Sequence, residues 1–125
     1  MKKYVIESCL ILLYLEFVMR IHGLKRLHEI VRQHSVISMQ SATGPSSELL
    51  CRAADYACVL YFKQVLCLQR SCATTLLLRR YGWGAQMVIG AQIIPFESHA
   101  WVEVGGIVVN DKPYMLDIYQ VLERC

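Results

Sequence analysis

What the sequence lacks narrows the field before any motif is read. It has no strong excess of one charge: 13 Lys and Arg stand against 10 Asp and Glu, a formal charge of +3. The basic residues are scattered, with small pairs at Lys25–Arg26 and Arg79–Arg80. Nucleic-acid binding calls for a clustered basic face, so that class is set aside. The second pair is expected to complement the carboxyl end of a helix. No CxxC pair exists, and His22, His28, His34 and His99 do not fall at ligand spacing with the cysteines, which argues against zinc. The apolar run Cys9–Leu15 follows Lys2–Lys3 but is bounded by Glu7 and Glu16, and no small-x-small cleavage site follows. It is too short to span a bilayer and a poor export signal, so a buried or partner-facing helix is expected. Internal repeats and low-complexity tracts are also missing.

The chain's 125 residues suit one small domain, and 55% of them are apolar, enough for a core rather than disorder. Six cysteines (Cys9, Cys51, Cys58, Cys67, Cys72 and Cys125) sit among leucine-rich helical runs rather than in a loop-rich secreted frame. A disulfide framework is therefore not expected, a cytoplasmic setting is, and most of these thiols should be small buried hydrophobes.

Residues 4 to about 33 read as helix with a break at Gly23, because Leu12, Leu15, Met19, Leu24, Leu27, Ile30 and Val31 recur at three- and four-residue steps. Residues 34–47 lose the period and gather Ser, Thr, Gly and Pro. Ser46 or Ser47 can cap a helix running to about Phe62, with Glu48 in its first turn. Another helix is expected from Cys67 to Tyr81, with Leu68, Cys72 and Leu76 on one face and Gly82 ending it. The period then shortens. Ala85–Ile94, Ala100–Val104 and Ile107–Val109 read as strands, with Gly105–Gly106 as a hairpin turn and Pro113 closing the last strand. Helices first and a small antiparallel sheet second is the α+β class. One domain is expected over 1–125, helical over 1–60 and catalytic over 61–125.

A cysteine acts as a nucleophile only as its thiolate, which a helix amino terminus or a nearby imidazolium favours. Of the six, Cys67 is best placed, where helical period resumes; Cys51, Cys58 and Cys72 lie inside helices. His22, His28 and His34 read as surface histidines. His99, before Ala-Trp-Val-Glu-Val, is a better general base, though a half-buried structural histidine also fits. The third member depends on the hairpin. A two-residue Gly105–Gly106 turn sets Val104 opposite Ile107 and His99 opposite Lys112, turns Asp111 to the other face and leaves Asn110 on the face of His99, so that this register does not build a Cys–His–Asp site. A three-residue loop with Gly106 left-handed sets His99 opposite Asp111. The sequence leaves both registers open.

Cys67-Leu-Gln-Arg-Ser71, Leu-Leu-Leu-Arg-Arg-Tyr-Gly82, Met-Val-Ile-Gly90, Pro-Phe-Glu-Ser-His-Ala-Trp-Val-Glu103 and Val-Val-Asn-Asp111 resemble, in order, the lasso-peptide leader peptidases. The resemblance covers about residues 60–115. It implies a papain-related, transglutaminase-like core with Cys67 as nucleophile, His99 as base and acid, and Asp111 as orienting carboxylate. It implies a cysteine endopeptidase without cofactor or metal, acting on the leader of a precursor peptide. The Cys67 backbone N–H is an expected oxyanion donor, while Gln64 is expected on helix surface. Residues 1–60 lack the β-rich pattern of a fused recognition domain. A stand-alone peptidase is therefore expected, with a separate small leader-recognition protein and an asparagine-synthetase-like cyclase as partners. Another transglutaminase-like acyl transferase or amidase, or a non-enzymatic helical adaptor, are the competing readings.

Overall fold

The computed structural model describes residues 2–34 and 44–125. Most of the expected 34–47 break lies outside the described residues. Helix α1 (Lys2–His22) and helix α2 (Leu24–Gln33) meet at Gly23. Its φ of 81° is open to glycine and strained for other residues. Helix α3 (Ser47–Leu60) starts where the Ser46 hydroxyl accepts from the Leu49 N–H, satisfying one orphan donor of the first turn. Helix α4 (Cys67–Arg80) follows, and Gly82, with φ 90°, lies just past its end.

Four antiparallel strands complete the chain: β1 (Ala85–Gln92), β2 (Glu97–Val104), β3 (Ile107–Val108) and β4 (Gln120–Arg124), with the short helix α5 (Met115–Ile118) before β4. The sheet order is β3-β2-β1-β4. The period-two alternation of strands divides β1 and β2 between two faces. Ala85, Met87, Ala100 and Val102 are buried toward the helices. Val88 and Trp101 point the other way and are covered by Met115, Tyr119 and Val121. The helical core joins Leu12, Leu15, Leu27, Ile30, Val31, Ala57 and Cys72. This is the expected α+β arrangement.

Arg79 does more than complement its own helix end. Its buried guanidinium donates to the carbonyls of Val31 (2.5 Å) and His34 (2.6 Å) at the end of α2, and to that of Ala85 (2.9 Å) at the start of β1. One side chain thus satisfies orphan carbonyls of another helix and ties it to the sheet. His28 also departs from the surface expectation: it is half-buried, with Nε2 2.9 Å from Glu123 of β4. Leu24, read as part of the apolar face, is exposed.

Of the two registers the hairpin takes the two-residue one, and the three-residue loop on which a Cys–His–Asp site was expected to depend does not form. Val104 pairs with Ile107 and Glu103 with Val108, so the turn has two residues. Gly105 (φ 59°) and Gly106 (φ 80°) are both left-handed, as a type I′ turn requires. The strand also ends at Val108, well before Pro113.

Candidate active site

Cys67 is the first residue of α4, and its side chain is exposed. Leu66, the residue before it, supplies no side-chain cap. The first turn that begins at Cys67 therefore has no side-chain cap from Leu66, and the positive end of the helix dipole lies there. The other placements are chemically poorer. Burial pushes the Cys72 and Cys51 thiols up to about 12, with the Asp55 carboxylate adding to the effect at Cys51. Burial also raises Cys58 and Cys125.

The helix is held against the sheet by its own early residues. Ser71, one turn after Cys67, donates to the Ala100 carbonyl at 2.9 Å. Further along, Arg79 reaches Ala85, which pairs with Val104. The carboxyl half of α4 thus lies at the Val104 end of β2, and its amino end at the end that carries His99.

His99 and Asp111 meet directly, with Nε2 of His99 2.6 Å from Oδ2 of Asp111. A carboxylate can only accept, so Nε2 carries the hydrogen in this contact. The second oxygen, Oδ1, accepts from the Lys112 N–H at 2.8 Å. Burial pushes the Asp111 carboxyl up. The hydrogen bonds from His99 and Lys112 and the charges of His99 and Arg70 outweigh burial and hold it below the usual carboxylate range.

The contact forms in a register that a regular ladder would forbid. Beyond β3 the Val109 N–H still reaches the Val102 carbonyl (2.9 Å), but the Val102 N–H is taken by the side-chain Oδ1 of Asn110 (2.7 Å). Asn110 thus stands in for the next strand carbonyl, and the chain bends at Asn110–Asp111. The bend carries Asp111 back to His99. Asn110 is buried, its Nδ2 donates to the Ser71 hydroxyl (3.4 Å), and its carbonyl accepts from Arg70 Nη2 (2.6 Å). Arg70 also bonds Asp55 of α3. Arg70 and Ser71 of the Cys67-Leu-Gln-Arg-Ser71 run therefore brace the segment that presents Asp111.

Among the described residues the Cys67 thiol has no hydrogen-bonding partner; the direct side-chain contact is between His99 and Asp111. Gln64 lies in the segment between α3 and α4 and is exposed, not on a helix as expected. Glu16 of α1 reaches this segment, accepting from Lys63 Nζ at 2.9 Å and from the Tyr61 hydroxyl at 3.5 Å. A cleft of about 380 Å³ between α1 and α4, lined by residues that include Leu10, Tyr14, Leu76 and Arg79, includes neither Cys67 nor His99. No group of three or more His, Cys, Asp or Glu among the described residues is disposed to hold a metal ion. Nor is any described helix long and apolar enough to cross a membrane.

Sequence reasoning did not find Tyr119, whose ring stacks on His99 at 5.4 Å between centroids. It also missed the pair that buries Glu103, which accepts from Trp101 Nε1 (3.0 Å) and Arg124 Nε (3.2 Å). The His-Ala-Trp-Val-Glu alternation was the available signal for the second: residues 99, 101 and 103 share one face.

The chain is similar to the microcin J25-processing protein McjB of Escherichia coli, 46% identical over 56 residues, which is 45% of this chain and 27% of that protein. The likeness is in keeping with the family resemblance read from the motifs. The chain thus matches little more than a quarter of that relative's length. No solved structure matches it significantly. The model of the transglutaminase-like superfamily matches residues 11–124, nearly the whole chain. The chain belongs to the transglutaminase-like superfamily.

Proposed function

We propose that the chain is a cysteine peptidase domain spanning residues 1–125 that removes the leader from a lasso-peptide precursor, with Cys67, His99 and Asp111 as its catalytic groups. The observation that carries this reading is the His99–Asp111 contact at the end of the sheet where α4 begins with an exposed cysteine. The similarity to a microcin J25-processing protein supports the substrate class.

Asp111 holds Nε2 of His99, which leaves Nδ1 to exchange a proton with the thiol. The thiol proton passes to His99, and the sulfur attacks the carbonyl carbon at the leader–core junction. The oxyanion that forms is met by first-turn N–H groups of α4, that of Cys67 first among them. Collapse breaks the C–N bond, and the imidazolium gives its proton to the departing core amine. The leader remains as a thioester on Cys67. His99 then takes a proton from water, the hydroxide adds to the thioester, and the free leader acid and the thiol are regenerated.

A separate leader-recognition protein would hold the leader, and an asparagine-synthetase-like cyclase in the cytoplasm would consume the freed amine; both partners rest on the family resemblance. The test of the reaction class is a mass balance. Precursor incubated with the chain and the recognition protein, without the cyclase, should yield two fragments whose masses sum to precursor plus one water. Fragments in which the leader carries an added amine would instead assign an acyl transferase, since the acceptor decides the chemistry.

A further inference from the structure

We infer that Tyr119 is a positioning residue for His99, seated in a hollow that Gly90 leaves open, an inference that rests on the reading of His99 as the base. Gly90 pairs directly with His99 across β1 and β2. A side chain there would have no room: a Cβ would lie 2.7 Å from Trp101 Cη2 and 2.9 Å from the Tyr119 Cβ. With only backbone at that point, the Tyr119 ring stacks on the imidazole, 28° from parallel at 5.4 Å. Trp101 supports both rings, its centroid 5.9 Å from that of Tyr119 and 6.2 Å from that of His99.

The stack is built from fixed parts. Trp101 is fully buried and anchored through Nε1 on Glu103. The Tyr119 N–H donates to the Met115 carbonyl (2.9 Å), and the next residues, Gln120 and Val121, pair with Ala91 and Gly90. Asp111 holds one edge of the imidazole through Nε2, and one contact at an edge leaves the ring free to swing about it. A stacked face removes that freedom. Two constraints in different directions fix where Nδ1 points, and small errors in such a direction are costly to rate. The contribution comes from the ring and not from the phenol oxygen.

The test compares Tyr119→Phe and Tyr119→Leu in the full chain with its partners, and reads kcat and KM for precursor cleavage. It also reads the His99 Cε1–H resonance by NMR, assigned by its loss in His99→Gln. The Phe variant should keep kcat within about twofold, while the Leu variant should lose about five- to tenfold in kcat with KM little changed. The His99 resonance should shift in the Leu variant, where the ring current is gone, and not in the Phe variant. If the Leu variant does not fold, Tyr119→Met is read in its place. An unshifted resonance on removal of the ring, a shifted one with unchanged kcat, or an equal loss of kcat in the Phe variant would each overturn the proposal. The NMR arm needs no turnover, so it tests the stack even if cleavage proves not to depend on Cys67 or His99.

Discussion

Nε2 of His99 lies 2.6 Å from Oδ2 of Asp111 although β3, the strand leading to Asp111, ends at Val108. The contact depends on a bend held by the Asn110 side chain, not on strand pairing.

Asp111 and Asn110 should separate activity from stability. Asp111→Asn removes the charge and, with its remaining oxygen kept by the Lys112 N–H, turns an NH2 donor toward Nε2, which favours the wrong tautomer; it should lower kcat by about a hundredfold or more with the fold kept. Asn110→Ala orphans the buried Val102 N–H and should cost about 1–3 kcal/mol in chemical denaturation. Near-wild-type turnover in the first variant, or unchanged stability in the second, would contradict these roles.

The hairpin glycines should matter to stability rather than to chemistry. Gly106→Val puts a β-branched residue at φ 80° and should cost about 1–3 kcal/mol. Because Asn110 sets the position of Asp111, kcat per folded molecule should stay near wild type. A loss of kcat far beyond the loss of folded protein would restore the importance of turn register.

The low carboxyl pKa of Asp111 has a pH consequence. A carboxyl lowered on folding contributes stability that is fully present above its unfolded value, near 3.8, and is lost as pH falls through the lower folded value. The stability difference between wild type and Asp111→Asn should hold from neutrality down to about pH 4 and shrink below that. A difference that disappears between about pH 6 and 5 would show that Asp111 is not held in this way.

Thiol chemistry should single out one buried-versus-exposed contrast. Iodoacetamide at neutral pH, followed by peptide mapping, should label Cys67 well before Cys72 and Cys51, whose thiols are pushed up to about 12. Labelling of Cys72 in the folded protein ahead of Cys67 would remove the reason for choosing Cys67, and an inert Cys67 would favour the adaptor reading.

The helices and the Gly105–Gly106 hairpin turn were legible because their signals are local. Gly23 and Ser46 sit where the break and the cap were expected, and the Leu12–Leu15 and Leu27–Val31 spacing marks buried faces. The presentation of Asp111 was not legible, because a ladder argument assumes the strand continues, and Asn110 replaces a backbone acceptor with a side chain. Tyr119 was not legible either. Its partner is 20 positions away in sequence, and the contact depends on the hollow at Gly90. Strand β4 is short and at the sheet edge, and none of its five residues is fully buried, so its period is faint.

The most direct test of the central claim is to trap the acyl-enzyme. The full chain, its recognition partner and precursor are quenched in acid within the first turnover, and the intact protein is weighed. The account predicts a species heavier by the leader acyl group, mapped to Cys67, absent in Cys67→Ala, with no leader released by that variant. Leader release by Cys67→Ala at a rate near wild type would contradict it.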